Sequence, residues 1–159
     1  MKTFNFSFNN MGGIKQIIAF PDKSSFFLNH DPVNNIRSIV INDNPDIISI
    51  IASGKEYSFS EKNKTADSGD TYEITISCQI PGDNKENDTL INLLRSRRYW
   101  SILSADMNGN LRLTGNYDII PEFSFERSSG NNPESLNYHS LKFACTDEFP
   151  SLFIDKILP

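Results

Sequence analysis

Few side chains in this sequence have the types and spacing that catalysis requires. The chain contains only two histidines, His30 and His139, and neither belongs to a pair spaced for metal binding. No nucleophile-elbow spacing accompanies a Ser–His–Asp set, and no glycine-rich phosphate loop is present. We therefore expect a protein that is not an enzyme, with no catalytic residues and no cofactor. We interpret His30, in a loop, and His139, in a strand, as surface or hydrogen-bonded structural residues.

Several oxygen ligands lie close together in the run Asp106-Met107-Asn108-Gly109-Asn110, which could suggest calcium. A calcium loop between two helices also needs an acidic residue further along, whereas Leu111-Arg112-Leu113 follows here. Asn-Gly tolerates the positive φ angles of a tight turn, so the run predicts a β-hairpin. We therefore expect no metal site.

The two cysteines, Cys78 and Cys145, are far apart in the chain, and each lies in an alternating apolar run. A disulfide framework or a structural zinc site needs more closely spaced partners. We expect two buried, reduced thiols, as in a reducing cytoplasm.

The one dense basic cluster is Arg95-Ser96-Arg97-Arg98, at the end of the predicted helix. Positive charge there complements the helix dipole, and a solvated helix end is the interpretation that we favour. The alternative is a contact with phosphate or with another subunit, and Arg95, Arg97 and Arg98 remain interface candidates on that ground.

Composition bounds the classes of function. The chain has 159 residues, 38% of them hydrophobic, and a formal net charge of −5. This length suits one globular domain over residues 1–159. The acidic balance argues against a protein that grips nucleic acid over a broad basic face, although DNA could pass such a surface without sticking. No signal-peptide stretch and no apolar run long enough to cross a membrane is visible, so we expect no membrane partner.

Alternation of apolar and polar residues predicts a mainly β protein. The clearest strand is Thr71–Ile80, which ends at Pro81-Gly82. Asn-Gly predicts a hairpin between the runs on either side of Asp106–Asn110. The remaining strand candidates are Ile14–Phe20, Ile36–Ile41, Asp46–Ile51, Glu56–Phe59, Glu122–Arg127 and Tyr138–Cys145, followed by an apolar tail over Phe149–Leu158.

Phe4, Phe6 and Phe8 alternate with polar residues near the N-terminus. This stripe fits an edge strand of the domain's own sheet, or an arm over residues 1–11 that docks on a neighbouring subunit. The residues alone do not decide between the two.

The polar segment Ser60–Asp70 shows no apolar periodicity and joins two predicted strands. It is typical of a long hairpin tip or a mobile loop. Its mixed charges suit a polar subunit contact, so its charged members are further interface candidates: Glu61, Lys62, Lys64, Asp67 and Asp70. We expect that shortening the segment would leave the domain folded but impair self-assembly.

One helix is predicted over Asp88–Arg98, capped by Asp88 or Asn87, with an apolar stripe at helical spacing. The fold class is therefore an antiparallel β-sandwich or barrel with one flanking α-helix. We expect two packed sheets, with the helix against one of them or across an open end.

The run Leu90–Gly115 combines an apolar helix, a strand and an Asp-x-Asn-Gly hairpin leading into Arg-Leu-x-Gly. After it come a Ser-Gly loop at Ser129-Gly130 and a last pair of strands, and near the N-terminus Gly12-Gly13-Ile14-Lys15 precedes an apolar strand. The further positions that carry the pattern are Pro121, Phe123, Phe125, Tyr138, Phe143 and Phe149-Pro150. In these features the chain resembles small virion structural proteins of phages and prophages of Bacteroides-like bacteria. Those proteins look similar to tail-tube subunits.

The resemblance implies a β-sandwich or barrel that self-assembles into homo-oligomeric rings of a tail tube or a head–tail connection. It implies other virion proteins as partners and DNA only as passing cargo, without sequence-specific binding. It also implies location in the virion after assembly in the host cytoplasm. The segment Asp22–Asn44 matches nothing in this pattern. The alternative is a monomeric β-sandwich binding module, for example one that stacks carbohydrate on Tyr99 and Trp100.

Overall fold

The computed structural model describes residues 2–5, 14–51, 57–67, 69–82, 84–116, 118–128 and 137–158. These residues form a mainly β structure with one flanking helix, which confirms the predicted fold class. The helix is α1 (Lys85–Arg97), and a short 3₁₀ helix covers Lys23–Ser25. The strands are β1 (Lys2–Asn5), β2 (Ile14–Phe20), β3 (Phe26–Asp31), β4 (Ile36–Ile41), β5 (Ile48–Ile51), β6 (Tyr57–Ala66), β7 (Gly69–Pro81), β8 (Ser101–Asp106), β9 (Leu111–Thr114), β10 (Glu122–Ser128), β11 (Tyr138–Asp147), β12 (Leu152–Ile154) and β13 (Lys156–Leu158).

The strands form three sheets, where the sequence led us to expect two. The first sheet has the order β1-β5-β2-β8-β9-β12, the second β10-β11-β7-β6 and the third β13-β4-β3. Neighbouring strands are antiparallel except in two pairs, β1 with β5 and β13 with β4. The additional sheet arises because Asp22–Asn44 contributes the β3–β4 hairpin, of which the sequence predicted only the strand Ile36–Ile41.

The first sheet is the central layer, since it carries apolar side chains on both faces. In β2, Ile17 and Ala19 join the core shared with the second sheet, whereas Ile18 and Phe20 join a separate core shared with the third sheet. A strand buried on both faces needs apolar residues at successive positions. This explains why Ile17–Phe20 is continuously apolar rather than alternating.

Of the two interpretations of the polar segment Ser60–Asp70, the long hairpin tip is confirmed and the mobile loop is wrong. The segment belongs to the β6–β7 hairpin, whose register continues from Tyr57↔Cys78 to Ala66↔Gly69. The segment lacks apolar periodicity because its outer rungs lie beyond the core and are held by backbone pairing. Strand β11 pairs with β7 only as far as Asp147↔Tyr72, so the last rungs of the hairpin project past the sheet.

Helix α1 begins before the predicted start, because its cap is Asn84 rather than Asn87 or Asp88. The Asn84 side chain accepts a hydrogen bond of 2.9 Å from the backbone N–H of Asn87. Asn87 is itself buried and donates to the carbonyl oxygens of Pro81 and Gly82, which ties the helix start to the end of β7. The apolar stripe of Leu90, Ile91 and Leu94 packs into the core between the first and second sheets.

The other predicted strands are present with small shifts. Strands β2 and β4 have the predicted bounds, β5 begins at Ile48, and the apolar tail forms the two short strands β12 and β13. The Asp106–Asn110 hairpin is confirmed, with Gly109 at a φ of 86° and the Asp106 carboxylate accepting from the backbone N–H groups of Asn108 and Asn110. The Asn110 side chain also donates to the Asp106 carboxylate, at 2.7 Å. This hydrogen bond lowers the pKa of Asp106 most, and the backbone hydrogen bonds lower it further.

Candidate subunit interface

The second sheet has two unlike edges. At the β10 edge, the segment Arg98–Trp100 makes backbone hydrogen bonds with the start of the strand. The Phe123 N–H donates to the Arg98 carbonyl oxygen at 2.7 Å, and the Trp100 N–H donates to the Pro121 carbonyl oxygen at 3.0 Å. Helix α1 adds an ion pair between Asp88 and Arg127 at 2.5 Å. The start of this edge is therefore covered by the protein's own chain, and helix α1 contacts it further along.

At the opposite edge, β6 is the outermost strand of the second sheet, and β7 is its only strand partner within the described ranges. Its outward side chains are polar: Ser58, Ser60, Lys62 and Lys64. Lysines on an edge strand disfavour pairing with another strand, so this edge is protected against indiscriminate strand addition.

The predicted basic cluster separates into paired and unpaired arginines. Arg97 pairs with Asp46 at 2.7 Å, and Arg98 pairs with Glu122 at 2.7 Å. The hydrogen bond and charge of Glu122 raise the pKa of Arg98. Arg95 has no carboxylate partner in the described part of the chain, and its guanidinium instead lies 5.6 Å from the centre of the Phe125 ring.

Phe125 is a candidate interface residue that the sequence did not single out for that role. Alternation places it on the same face as Phe123, and the two rings lie nearly parallel with their centres 6.3 Å apart. Only the structure shows that Phe123 is buried while Phe125, at the covered edge, keeps 37% of its surface exposed. The available signal was the neighbouring Phe pair, but nothing in the sequence pairs Phe125 with Arg95.

The charged residues of the β6–β7 hairpin also fall into two groups, those with partners inside the domain and those without an ion pair among the described residues. Glu61 accepts hydrogen bonds from the backbone N–H and the hydroxyl of Ser151, so it serves the internal structure. Lys64 pairs with Glu73 across the two strands. Lys62, Asp67 and Asp70 are exposed and carry no ion pair within the described ranges, which leaves them available to a partner.

The N-terminal stripe is only partly described. Residues 2–5 form β1, which pairs in parallel with β5, and Phe4 is in register with Ile50. This part of the stripe is an edge strand of the domain's own first sheet. Phe6 and Phe8 lie outside the described residues.

The outward face of the second sheet is polar across its whole width. One rung joins Ser58, Ser77, Lys142 and Ser124, and the next joins Ser60, Thr75, Ala144 and Glu122. The opposite face carries the buried residues of the core, among them Ile76, Cys78, Leu141 and Phe143. On these two rungs the sheet therefore presents polar or small side chains and no large apolar one.

Trp100 does not form a binding platform, because it is 2% exposed and lies in the core. Its indole N–H donates to the carbonyl oxygen of Leu94 at 2.8 Å, which satisfies one of the last carbonyls of helix α1. Tyr99 is 47% exposed and lies beside Arg98, whose guanidinium is 5.6 Å from the ring centre.

The two thiols differ in burial, which corrects the expectation that both would be buried. Cys78 is fully buried, and desolvation raises the pKa of its thiol to about 12. Cys145 is half-buried, and burial together with the charge of Asp147 raises its pKa to about 11. Tyr57, opposite Cys78 on β6, is also buried, and desolvation raises the pKa of its hydroxyl.

The histidines lie in different surroundings. His30 is in β3 rather than in a loop, and its exposed ring lies 3.3 Å from the side-chain oxygen of Asn35. His139 is fully buried in β11.

Among the described residues, no group of three or more His, Cys, Asp or Glu side chains is placed to hold a metal ion. No described helix is long and apolar enough to span a membrane.

A small groove of about 120 Å³ lies beside the Arg97–Asp46 pair and above Trp100. Its volume is below the roughly 300–1,000 Å³ of most small-molecule sites.

No family model matches the sequence, and comparison with curated proteins and with solved structures finds no match either.

Proposed function

We propose that this protein is a non-enzymatic structural subunit of a phage virion, which self-assembles into the rings of a tail tube or a head–tail connection. The resemblance of Leu90–Gly115 and the segments around it to phage virion proteins supports the virion setting. The geometry of the second sheet supports the ring.

The observation that carries the proposal is the difference between the two edges of the second sheet. One edge is covered at its start by the Arg98–Trp100 segment and bound further along by helix α1 through Asp88, while the other ends in the polar strand β6. Contact between two unlike surfaces of identical subunits is heterologous, and such contacts generate rings when the rotation closes. A two-fold dimer would instead need one surface that is complementary to itself.

The charge of the molecule suits DNA as passing cargo. The net charge is −5, and the outward face of the second sheet mixes Lys62, Lys64 and Lys142 with Glu73, Glu122 and Glu126. Strong retention of DNA requires clustered Lys and Arg that displace counterions from phosphates. A mixed or acidic wall lets the polymer move past.

The alternative, a monomeric β-sandwich module that binds carbohydrate, loses its main support. A sugar platform needs exposed aromatic rings, and Trp100 is in the core with its N–H bonded to Leu94. Tyr99 alone, beside Arg98, does not form a platform.

The test is the state of the purified full chain in solution. We expect light scattering to give masses that are multiples of 18.0 kDa, and electron microscopy to show rings or stacked tubes of constant diameter. A chain that stays monomeric at every accessible concentration, or that forms only two-fold dimers, would contradict the proposal.

A further inference from the structure

Arg95 stands out on the covered edge of the second sheet because its three basic neighbours are already neutralised. Arg97 pairs with Asp46, Arg98 with Glu122 and Arg127 with Asp88. Arg95 is exposed and rests over the ring of Phe125, which holds the cation in place at the surface. An arginine held in this way presents its remaining N–H donors to an incoming carboxylate.

Two carboxylates lie together at the projecting end of the β6–β7 hairpin. Asp67 is in the turn, Asp70 follows on β7 opposite Thr65, and both are exposed. The nearest basic residue along the hairpin, Lys64, is already paired with Glu73. The end of the hairpin is therefore acidic and reaches beyond the last rung that β11 supports.

We propose that the acidic hairpin end of one subunit docks on the Arg95–Phe125 surface of a second copy of this chain. This inference rests on the proposed function and specifies its subunit contact. The two surfaces are complementary in charge and belong to opposite edges of the same sheet, so the contact is head-to-tail. Phe125 supplies exposed aromatic area beside the charge of Arg95, and aromatic rings are enriched at protein interfaces.

Charge exchange between the two surfaces tests the contact. Arg95→Glu places like charges opposite one another, as does the double change Asp67→Arg with Asp70→Arg. Each is expected to raise the protein concentration needed for half-assembly by at least about tenfold. Combining the three substitutions restores opposite charges and should recover assembly. Lys142→Glu, on the outward face of the same sheet, is the matched control and should assemble as the unmodified chain does.

The outcomes separate the contact from the proposed function. If the unmodified chain forms rings and the charge reversals leave them unchanged, the contact is wrong while ring assembly stands. If each reversal impairs assembly but the combination does not restore it, the pairing of these two surfaces is wrong. If the unmodified chain is monomeric, both proposals fail. All the substituted positions are exposed, so thermal melting should match the unmodified chain and exclude misfolding as the cause.

Discussion

Cys78 and Cys145 show how the same side chain acquires different chemistry from its position in one sheet. Both lie on the inward face of the second sheet, where Cys78 is opposite Leu141 and Cys145 is opposite Ile74. Cys78 is enclosed by the core, while Cys145 lies nearer its margin and is half-buried. Only the thiolate reacts with a thiol reagent, so burial and a raised pKa together protect each site.

We predict that a thiol reagent modifies Cys145 slowly in the native protein and Cys78 only when the protein unfolds. Because the pKa of Cys145 is raised to about 11, its rate should climb about tenfold per pH unit through the alkaline range, as the thiolate fraction does. Mass spectrometry of the timed reaction gives the order of modification.

Cys145→Ser is the control for this assignment, and it should remove the native reaction and leave one thiol that reacts in denaturant. Rapid native modification of Cys78 would show that the core between the first and second sheets opens readily. That result would contradict the packing of Cys78 described above.

At the scale of the elements, two turns use glycine for different reasons. Gly109 and Gly115 both have positive φ angles, 86° and 83°. A Cβ on Gly109 would meet no atom within 4 Å, whereas a Cβ on Gly115 would lie 2.6 Å from Cδ of Pro121 and 3.2 Å from Cα of Ser101. The first position needs glycine for its backbone angle alone, and the second needs it for space as well.

We predict that Gly109→Ala lowers the free energy of unfolding by about 1–2 kcal/mol, the cost of a left-handed conformation. Gly115→Ala should cost at least about 1 kcal/mol more, because the added methyl group also overpacks the contact with Pro121 and Ser101. Urea unfolding of the two variants, compared with the unmodified chain, measures both. Equal losses would mean that the Pro121 segment moves aside at little cost.

The helix shows which local patterns predict structure correctly and which mislead. Leu90, Ile91 and Leu94 marked the helix correctly, because a buried stripe at helical spacing is a local property. The cap was misplaced by three or more residues, since Asn84, Asn87 and Asp88 are all good caps and the packing of Asn87 against Pro81 and Gly82 decides among them.

For the whole molecule, the end of the β6–β7 hairpin is separate from the parts of the chain that form the cores. The cores lie on either side of the first sheet, while the end of the β6–β7 hairpin contributes to neither of them. The described side chains there, Thr65, Asp67 and Asp70, are exposed. The hairpin end is thus a region whose loss should leave the folded domain intact.

We predict that replacing residues 65–70 with Asn-Gly keeps the fold but abolishes ring formation. The replacement removes whole rungs from both strands, and Asn-Gly closes the remaining Lys64↔Thr71 pair with a tight turn. The free energy of unfolding should change by less than about 0.5 kcal/mol, as for surface changes elsewhere. Calorimetry and electron microscopy of the same sample report the two properties separately.

A deletion confined to one strand is the informative comparison. Removing residues 62–68 takes most of its residues from β6 and leaves their partners on β7 unpaired, so it should destabilise the domain. If the symmetric replacement assembles normally, the hairpin end has no role in the interface. If the symmetric replacement fails to fold, the hairpin end contributes to the core.

The sequence by itself determined the β class, most strand positions, the Asp106–Asn110 hairpin and the single helix. Each of these depends on local periodicity or on turn chemistry, which are properties of neighbouring residues. The sequence also picked out Arg95 and the acidic residues Asp67 and Asp70 as interface candidates, because exposed charge is visible in composition.

Only the tertiary structure decided which strands are neighbours, that the first sheet is buried on both faces, and that Ser60–Ala66 is a strand. Those outcomes depend on contacts between residues far apart in the chain, and a polar strand held by backbone pairing has no apolar periodicity to reveal it. The distinction among the arginines has the same origin. Arg97 and Arg98 pair with Asp46 and Glu122, which folding brings to them, while Arg95 lies over Phe125 without a carboxylate partner among the described residues.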